Sequence, residues 1–256
     1  MVTLFSSSGF VAATGRLASH QDAIAASLER LATGKRVNRA SDDPSAIAPI
    51  SEFRARITTI NKRIERFEFE QSRLGATEGG LSVIQDLVLG LEGLNITGAN
   101  GAGLSETERE AVIVEAQSVI DGIRFAETST IFNGDQILAG LAPDLSGLVE
   151  AIENDPELAQ EIIREAAADV AGRRAGIGNR LNEIESERNV LLAELEGNSA
   201  ALSSIEDADF ARESAELVRA QILEQATIQA ILVEREQSDL VLDLISGVRA
   251  GPLSGA

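Results

Sequence analysis

The sequence contains no cysteine, tryptophan or tyrosine, and its only histidine is His20. The missing cysteine excludes disulfides, thiolate metal sites and a cysteine nucleophile. A single histidine leaves little material for a histidine-based metal site or a catalytic triad. No apolar run in the 256 residues approaches the roughly 18 residues that a membrane span needs. We therefore expect no cofactor, no bound metal, no catalytic residues and no membrane insertion.

Positive charge is scarce as well, because 22 lysines and arginines stand against 41 aspartates and glutamates. The net charge of −19 argues against a broad basic surface for nucleic acid. No basic residue precedes the short apolar stretch near the N-terminus, so we expect no cleaved signal peptide. Residues 1–40 carry more basic than acidic side chains, and residues 205–247 carry the reverse excess. This favours pairing of the two ends, although solvated helix faces are an alternative, since exposed pairs contribute only ~0–1 kcal/mol each.

Alanine, leucine, isoleucine and valine dominate the 44% of hydrophobic residues, and aromatic residues make up 3%. This composition is typical of long helices with narrow apolar seams rather than of a compact enzyme core. Apolar residues recur with alternating steps of three and four, which is a heptad pattern. No convincing alternating strand pattern of useful length is present. The seams predict the following assembly residues: Leu17, Ile24, Leu28, Leu31, Leu181, Ile184, Leu191, Leu195, Leu202, Ile205, Leu223, Val233, Leu240 and Leu244.

Local chemistry predicts the ends of the helices. Gly34 ends the first helix, and Asp43 followed by Pro44 suits a helix start, although Pro49 would kink or delay that helix. Ser105 with Glu108 predicts a capping box, and Phe132-Asn133-Gly134 predicts a turn. We therefore expect helices over about 50–96, 105–128, 173–204 and 208–246 after the first one, with a short connection over 142–172.

The predicted fold is all-α, with long antiparallel helices in a rod-like coiled-coil bundle and with the N- and C-terminal helices paired. Narrow seams bury little surface in one helix, so each helix needs neighbours from the same chain or from other copies. Residues 1–40 mix glycine and serine with apolar residues and are poor helix material alone. We therefore expect the termini to be disordered in the free monomer.

Motifs that carry chemistry are weak. The pairs Asp42-Asp43 and Asp207/Asp209 could serve acid–base chemistry or Mg²⁺, but helix capping explains both more simply. The glycine-rich stretch 98–103 lacks the lysine of a phosphate-binding loop, so we interpret it as a connection between two helices. These observations favour a structural role.

Several segments, in order along the chain, resemble bacterial flagellins. At the N-terminal side these are residues 27–38 with Ser41-Asp42-Asp43, then Glu78-Gly79-Gly80-Leu81, Ala99-Asn100-Gly101 and Phe132-Asn133-Gly134. At the C-terminal side they are Arg180-Leu181, residues 204–211 and residues 221–226. The resemblance covers about 3–141 and 170–246, and the variable outer domains of larger flagellins are missing.

The resemblance implies a secreted structural subunit that polymerises helically into the extracellular bacterial flagellum. It also implies an export chaperone, junction proteins and a cap protein as partners. The family's layout divides the chain into an inner-core segment, the N-terminal half of a rod, a connector in place of the variable domains, the C-terminal half of the rod, and an inner-core helix with a tail. These correspond to residues 1–42, 43–141, 142–172, 173–205 and 206–256.

Two other interpretations stay open at the level of sequence. Ser41-Asp42-Asp43-Pro44 looks at least as much like the sibling family of hook–filament junction proteins, whereas residues 204–226 favour flagellin. An enzyme or an unrelated binding module on a helical scaffold would need a pocket with converging polar groups, and the sequence suggests none.

Overall fold

The computed structural model describes the backbone of residues 2–100, 103 and 105–249, and within those ranges the side chains of residues 9–241. The described part contains six α-helices and one two-stranded hairpin, which confirms the all-α prediction. The long helices pack in antiparallel pairs, α1 with α6 and α2 with α5. The helices are α1 (Val2–Thr33), α2 (Pro44–Ala99), α3 (Glu106–Ser129), α4 (Leu148–Asn154), α5 (Pro156–Glu206) and α6 (Phe210–Arg249).

Helix α1 ends where the sequence predicts, and helix α2 begins at the start signal of Asp43 and Pro44. Gly34 follows α1 with a φ of 71°, a left-handed conformation that glycine adopts without strain. The Asp43 carboxylate accepts hydrogen bonds from the backbone N–H groups of Ser45 and Ala46, each at 3.2 Å. Asp43 therefore caps α2, and Pro44 occupies the first helical position.

The starts of α3 and α6 are also capped as predicted. The Glu108 carboxylate accepts hydrogen bonds from the backbone N–H of Ser105 at 2.7 Å and from its hydroxyl at 2.8 Å. The Asp209 carboxylate accepts from the backbone N–H groups of Ala211 and Arg212 at 2.9 and 3.1 Å. Capping thus accounts for Asp43 and Asp209 without any catalytic role.

Two helix starts were predicted too late. Helix α2 begins at Pro44 rather than near residue 50 and includes Pro49, which neither delays nor ends it. Helix α5 begins at Pro156 rather than at 173, so much of the predicted connection is helical. Buried residues in α5 keep steps of three and four through Ala159, Ile163, Ala166 and Val170. This seam stays in phase with the one after Ile177, and tertiary packing of the seam overrides the helix-weakening Gly172.

The turn at residues 132–134 is a tight hairpin between β1 (Ile131–Phe132) and β2 (Asp135–Gln136). Asn133 and Gly134 have φ angles of 52° and 92°. Positive φ at both central residues is the signature of the two-residue turn that Asn-Gly favours, and it confirms the predicted turn.

The chain forms two compact units. Unit 1 combines the described residues up to Ile57 with those from Gly197 onward, and unit 2 is Thr58–Glu196. The larger core of unit 2 comes from one face of each of α2, α3, α4 and α5, with Leu138 from the segment after the hairpin. Its largest fully buried side chains are Leu81, Ile84, Leu91, Ile123, Leu138, Leu148, Ile163, Val88 and Val170.

A second apolar cluster of unit 2 lies between α2 and α5, where Ile60 and Phe67 meet Ile184 and Leu191. Arg180 Nε pairs with the Glu70 carboxylate at 2.9 Å across the same two helices. Unit 1 has a smaller cluster, in which Val37, Ala46 and Ile50 pack against the end of α5. Within the described ranges, no helix combines the length and the apolar character needed to cross a bilayer.

Candidate assembly interface

The terminal helices α1 and α6 run antiparallel along each other in unit 1. Arg30 Nη1 lies 3.5 Å from the Glu213 carboxylate, and the Gln21 side-chain amide donates to the Glu224 carboxylate at 3.2 Å. Position 30 thus lies opposite 213 and position 21 opposite 224, so the two contacts fix one register over more than two helical turns. The opposite charges of the two chain ends meet here only in part, since other charges of α6 remain in solvent.

The face of α6 that contacts α1 is a heptad row that the sequence analysis missed. Its members are at least partly buried and follow steps of three and four: Leu217, Ala220, Glu224, Thr227, Ile231, Glu234 and Ser238. Only some of them are apolar, so a search for apolar periodicity alone passes over this row. Glu213 and Glu224 lie opposite Arg30 and Gln21 of α1, a match that appears only when the antiparallel register of the two helices is known.

The apolar stripe predicted on α6 instead faces away from α1. Leu223, Val233 and Leu240 are 43%, 50% and 62% exposed. Ala226, Ala230 and Gln237, which lie between them in the same heptad pattern, are also exposed. We call these six positions the α6 stripe. Leu244 continues it but lies beyond the residues whose side chains are described.

Helix α6 carries exposed apolar residues outside the α6 stripe as well. Val218, Ile222 and Leu232 are 53%, 60% and 47% exposed. They and the α6 stripe lie on opposite sides of the row that contacts α1. A helix that is apolar on nearly all sides belongs in a buried environment. Within the described part of the chain, α1 is the helix that packs along α6, and it covers only one side. The arrangement therefore leaves apolar surface of α6 exposed to solvent, as is typical of an interaction site.

The predicted residues of α1 divide between two environments. Leu17, Ile24 and Leu31 are partly buried on the row that packs along α6. Leu28 is 50% exposed. Leu28 therefore resembles the α6 stripe, because one chain leaves it uncovered.

The predicted residues of α5 pack inside the chain. Ile184 and Leu191 are 1% and 3% exposed, and Leu195 packs against their cluster in unit 2. Leu181 is partly buried in the same unit. In unit 1, Leu202 and Ile205 pack against the cluster formed by Val37, Ala46 and Ile50. Their role in assembly remains a prediction, and what the structure gives them is a place in the packing of a single chain.

A buried carboxylate joins the two interhelical connections of unit 1. Glu206 is 2% exposed, and its carboxylate lies 2.6 Å from Lys35 Nζ and 3.2 Å from Arg54 Nε, with Arg54 Nη2 closer still. The backbone N–H of Arg36 donates to the Glu206 carbonyl at 2.6 Å, and that of Ala208 donates to the Gly34 carbonyl at 2.9 Å. The loop after α1 is thus fastened to the end of α5.

Burial of Glu206 by itself raises the pKa of its carboxyl group, since desolvation disfavours the charged form. The hydrogen bonds and positive charges of Lys35 and Arg54 outweigh that effect, so the pKa ends below its ordinary value of 4.5. Glu206 is therefore ionised at neutral pH and acts as a structural anion between two cations.

Comparison with known families adds the deciding observation. Residues 10–142 match the family described as "Bacterial flagellin N-terminal helical region". Residues 160–245 match the family described as "Bacterial flagellin C-terminal helical region". The chain belongs to the bacterial flagellin family. The two matched regions contain α1 from residue 10 onward and nearly all of α6, so the exposed surface described above lies on segments that define the family.

Individual flagellins and filament proteins align over most of their length. The flagellar filament 30.7 kDa core protein of Treponema maltophilum is 26% identical over 90% of this chain and 95% of its own. The flagellin of Halalkalibacterium halodurans is 24% identical over 85% of this chain and 90% of its own. The flagellin of Bacillus subtilis is 24% identical over 90% of this chain and 95% of its own. A short flagellin without variable outer domains fits these coverages.

Proposed function

We propose that this flagellin is a structural subunit that polymerises helically into the extracellular filament of the bacterial flagellum. The observation that carries the proposal is the exposed apolar surface of α6, on a helix that a single chain covers on one side only. The relatives described above are flagellins and filament core proteins, and none of these three is named as a junction protein. A flagellin is a structural protein, and we assign no catalytic step to this chain.

The proposed mechanism couples ordering of the chain ends to association. In the free subunit α1 and α6 pack mainly against each other. Ordering the two helices costs conformational entropy, and burial of a single contact face offsets that cost poorly. Neighbouring subunits cover the α6 stripe and Leu28, and the added burial stabilises both helices. Because the stripe meets a different surface on the next copy, the contact does not close on itself and a helical polymer grows.

The family resemblance extends the proposal to other partners. An export chaperone would shield the exposed apolar surface of α6 before assembly, and junction and cap proteins would bind the ends of the filament. The exposed side chains of Leu223, Val233 and Leu240 support a need for such shielding.

The test uses the full chain with Leu223→Ser, Val233→Ser and Leu240→Ser combined, followed by negative-stain electron microscopy during stepwise sulfate addition. Sulfate strengthens apolar burial and should drive the unaltered chain into long uniform filaments. We expect the triple variant to remain monomeric with the same helical content, since the three side chains pack little in the monomer. The matched control is Gln221→Ser, Gln225→Ser and Gln229→Ser, on exposed polar positions of the same helix.

Filaments from the triple variant at the same sulfate concentration would refute the assignment of the stripe. Persistent monomers from the unaltered chain would refute self-polymerisation and shift the proposal toward a junction protein that forms a single ring. The control must form filaments, because loss there would show that any serine substitution on α6 blocks assembly.

A further inference from the structure

Unit 2 carries a row of exposed arginines on one flank of α2. Arg63, Arg66 and Arg73 are spaced by three and seven residues, which places them along one side of a helix. We call them the arginine row. Within the described residues none of the three forms a salt bridge, although the Arg66 guanidinium lies 5.7 Å from the centre of the Phe67 ring.

The acidic residues in and beside the arginine row are Glu65, Glu68 and Glu70, and Glu68 lies on the opposite side of the helix from the row. Glu65 pairs with Lys62 at 2.6 Å, and Glu70 pairs with Arg180 at 2.9 Å. Three arginines on one helix flank repel each other when nothing neutralises them. Glu70 lies among the three arginines on the same side of α2 but pairs with Arg180, so the arginine row keeps an excess of positive charge in the single chain.

Unit 2 carries a matching row of opposite charge near the start of α5. Glu157, Glu161 and Glu165 follow each other at intervals of four residues, so their carboxylates line one exposed side of the helix. We call them the glutamate row. The positive end of the helix dipole favours Glu157, but the effect fades within the first turn and leaves Glu161 and Glu165 without that support. Leu158, beside the row, is 48% exposed.

The nearest basic residue, Arg164, offsets at most one of the three negative charges of the glutamate row. It is exposed beside the row, and within the described residues it forms no salt bridge with any of the three glutamates. Adjacent carboxylates four residues apart destabilise a helix unless a cation covers them.

The two rows are too far apart to neutralise each other within one chain. Glu70, within the span of the arginine row, lies beside Arg180, whereas Asn95 lies beside Gln160 at the level of the glutamate row. The 25 residues from Glu70 to Asn95 correspond to about 37 Å of helix. The Debye length is only about 8 Å at physiological ionic strength, so the rows do not interact appreciably within one copy.

We infer that the arginine row of one subunit docks on the glutamate row of a neighbouring copy displaced by a similar distance along the helix axes. The two surfaces have opposite charge, equal numbers of charged groups and helical spacing. They differ from one another, so each copy offers both halves of a contact that repeats without closing. The inference rests on the proposed function, and it adds to the apolar contact of α6 a second, charge-based contact made by unit 2.

The test compares the critical concentration for polymerisation of four full-length variants with that of the unaltered chain in about 50 mM NaCl, where charge is weakly screened. The arginine variant combines Arg63→Glu, Arg66→Glu and Arg73→Glu. The glutamate variant combines Glu157→Arg, Glu161→Arg and Glu165→Arg. The third chain carries all six changes and so restores opposite charge across the contact with reversed sign. The matched control reverses Glu106, Glu110 and Glu115 to arginine, three exposed glutamates on α3.

We expect each single-row variant to raise the critical concentration by about ten-fold or more, which corresponds to about 1.4 kcal/mol or more per contact. The six-fold variant should return to within about three-fold of the unaltered chain, and the α3 control should stay in that range too. Circular dichroism checks that each monomer keeps its helices. If the glutamate variant loses helicity, Glu161→Gln with Glu165→Gln replaces it and should raise the critical concentration less.

Three results would overturn the inference while leaving the proposed function in place. The first is a single-row variant that polymerises like the unaltered chain. The second is a six-fold variant that fails to polymerise although its monomer is folded. The third is an α3 control that raises the critical concentration as much as the glutamate variant does. An unaltered chain that forms no filaments would overturn the proposed function together with this inference.

Discussion

At the scale of single residues, Glu206 shows how a buried charge can be structural rather than catalytic. Its carboxylate is almost fully buried, whereas its partners Lys35 and Arg54 have 43% and 52% of their side chains exposed. The cations stay hydrated while the anion does not, so the anion depends on them. Losing the charge of Glu206 would weaken the attachment of the loop after α1 to the end of α5, although the backbone hydrogen bonds of Arg36 and Ala208 would remain.

We predict that Glu206→Gln lowers the free energy of unfolding at pH 7 by about 1–3 kcal/mol, because both cations lose a charged partner. The pKa of Glu206 is lower in the folded chain than its ordinary value of 4.5. Its contribution is therefore fully present above about that pH and is lost as the pH falls below it. Urea unfolding of both chains at several pH values measures this, and the difference between them should shrink below pH 4.5.

Glu216→Gln is the control, since Glu216 is exposed and pairs with Arg219 one helical turn away at 3.4 Å. We expect it to change the free energy of unfolding by less than about 0.5 kcal/mol. An equal loss from both substitutions, or a Glu206→Gln effect that grows toward acid pH, would contradict the role given to Glu206.

At the scale of secondary-structure elements, the seam between α2 and α5 in unit 2 depends on few large side chains. Leu191 is 3% exposed, whereas its neighbour Leu192 is 43% exposed. We predict that Leu191→Ala costs about 2–5 kcal/mol of unfolding free energy, because it leaves a cavity between the helices. Leu192→Ala should cost about 0.5 kcal/mol or less.

The same pair of positions tests assembly. Leu191→Asp places an unpaired charge in the seam, and we expect that variant to form no filaments. Normal filaments from Leu191→Asp, or equal losses of stability from the two alanine variants, would refute the assignment of Leu191 to the seam.

Sequence periodicity predicted the helices well where the seams are apolar and the caps are strong. Asp43, Ser105 with Glu108, and Asp209 mark helix starts through local hydrogen bonds that depend on a few neighbouring residues. The start of α5 was missed because Gly172 suggested a break, whereas packing of Ile163 and Val170 against distant residues keeps the helix intact.

The interface was predicted only in part for a related reason. Heptad spacing identified Leu223, Val233 and Leu240 but cannot say whether they face the same chain or another. The row of α6 that faces α1 contains Glu224 and Glu234 and becomes recognisable only once the antiparallel register is known.

At the scale of the whole molecule, the two units differ in how much they bury. The largest fully buried side chains all belong to unit 2, whereas the apolar cluster of unit 1 is built on Val37, Ala46 and Ile50. Local stability follows buried apolar contact, so the units should open with different free energies. We therefore expect unit 1 to be the part of the subunit that neighbouring copies stabilise most.

We predict that hydrogen exchange of the free monomer protects the amides of α3 and the middle of α5 far longer than those of α1 and α6. On polymerisation, protection should rise most in α1 and α6, because neighbouring copies then bury them. Mass spectrometry of peptides from monomer and filament measures both effects. Equal protection of α1, α6 and α3 in the monomer would contradict the coupling of order to assembly.

The division of the chain into units also has a consequence in time. Unit 2 is one continuous stretch, whereas unit 1 draws on both ends, and its contact between Gln21 and Glu224 joins residues 203 positions apart. Contacts of such long range form late, because closing the loop costs conformational entropy before the contact adds any stabilising free energy. Folding of unit 2 brings Ile60 close to Leu191 and shortens that loop greatly. When the N-terminal end of the chain emerges first, the apolar surface of α6 is therefore completed last. The surface that joins this subunit to others forms only after the rest of the chain has folded.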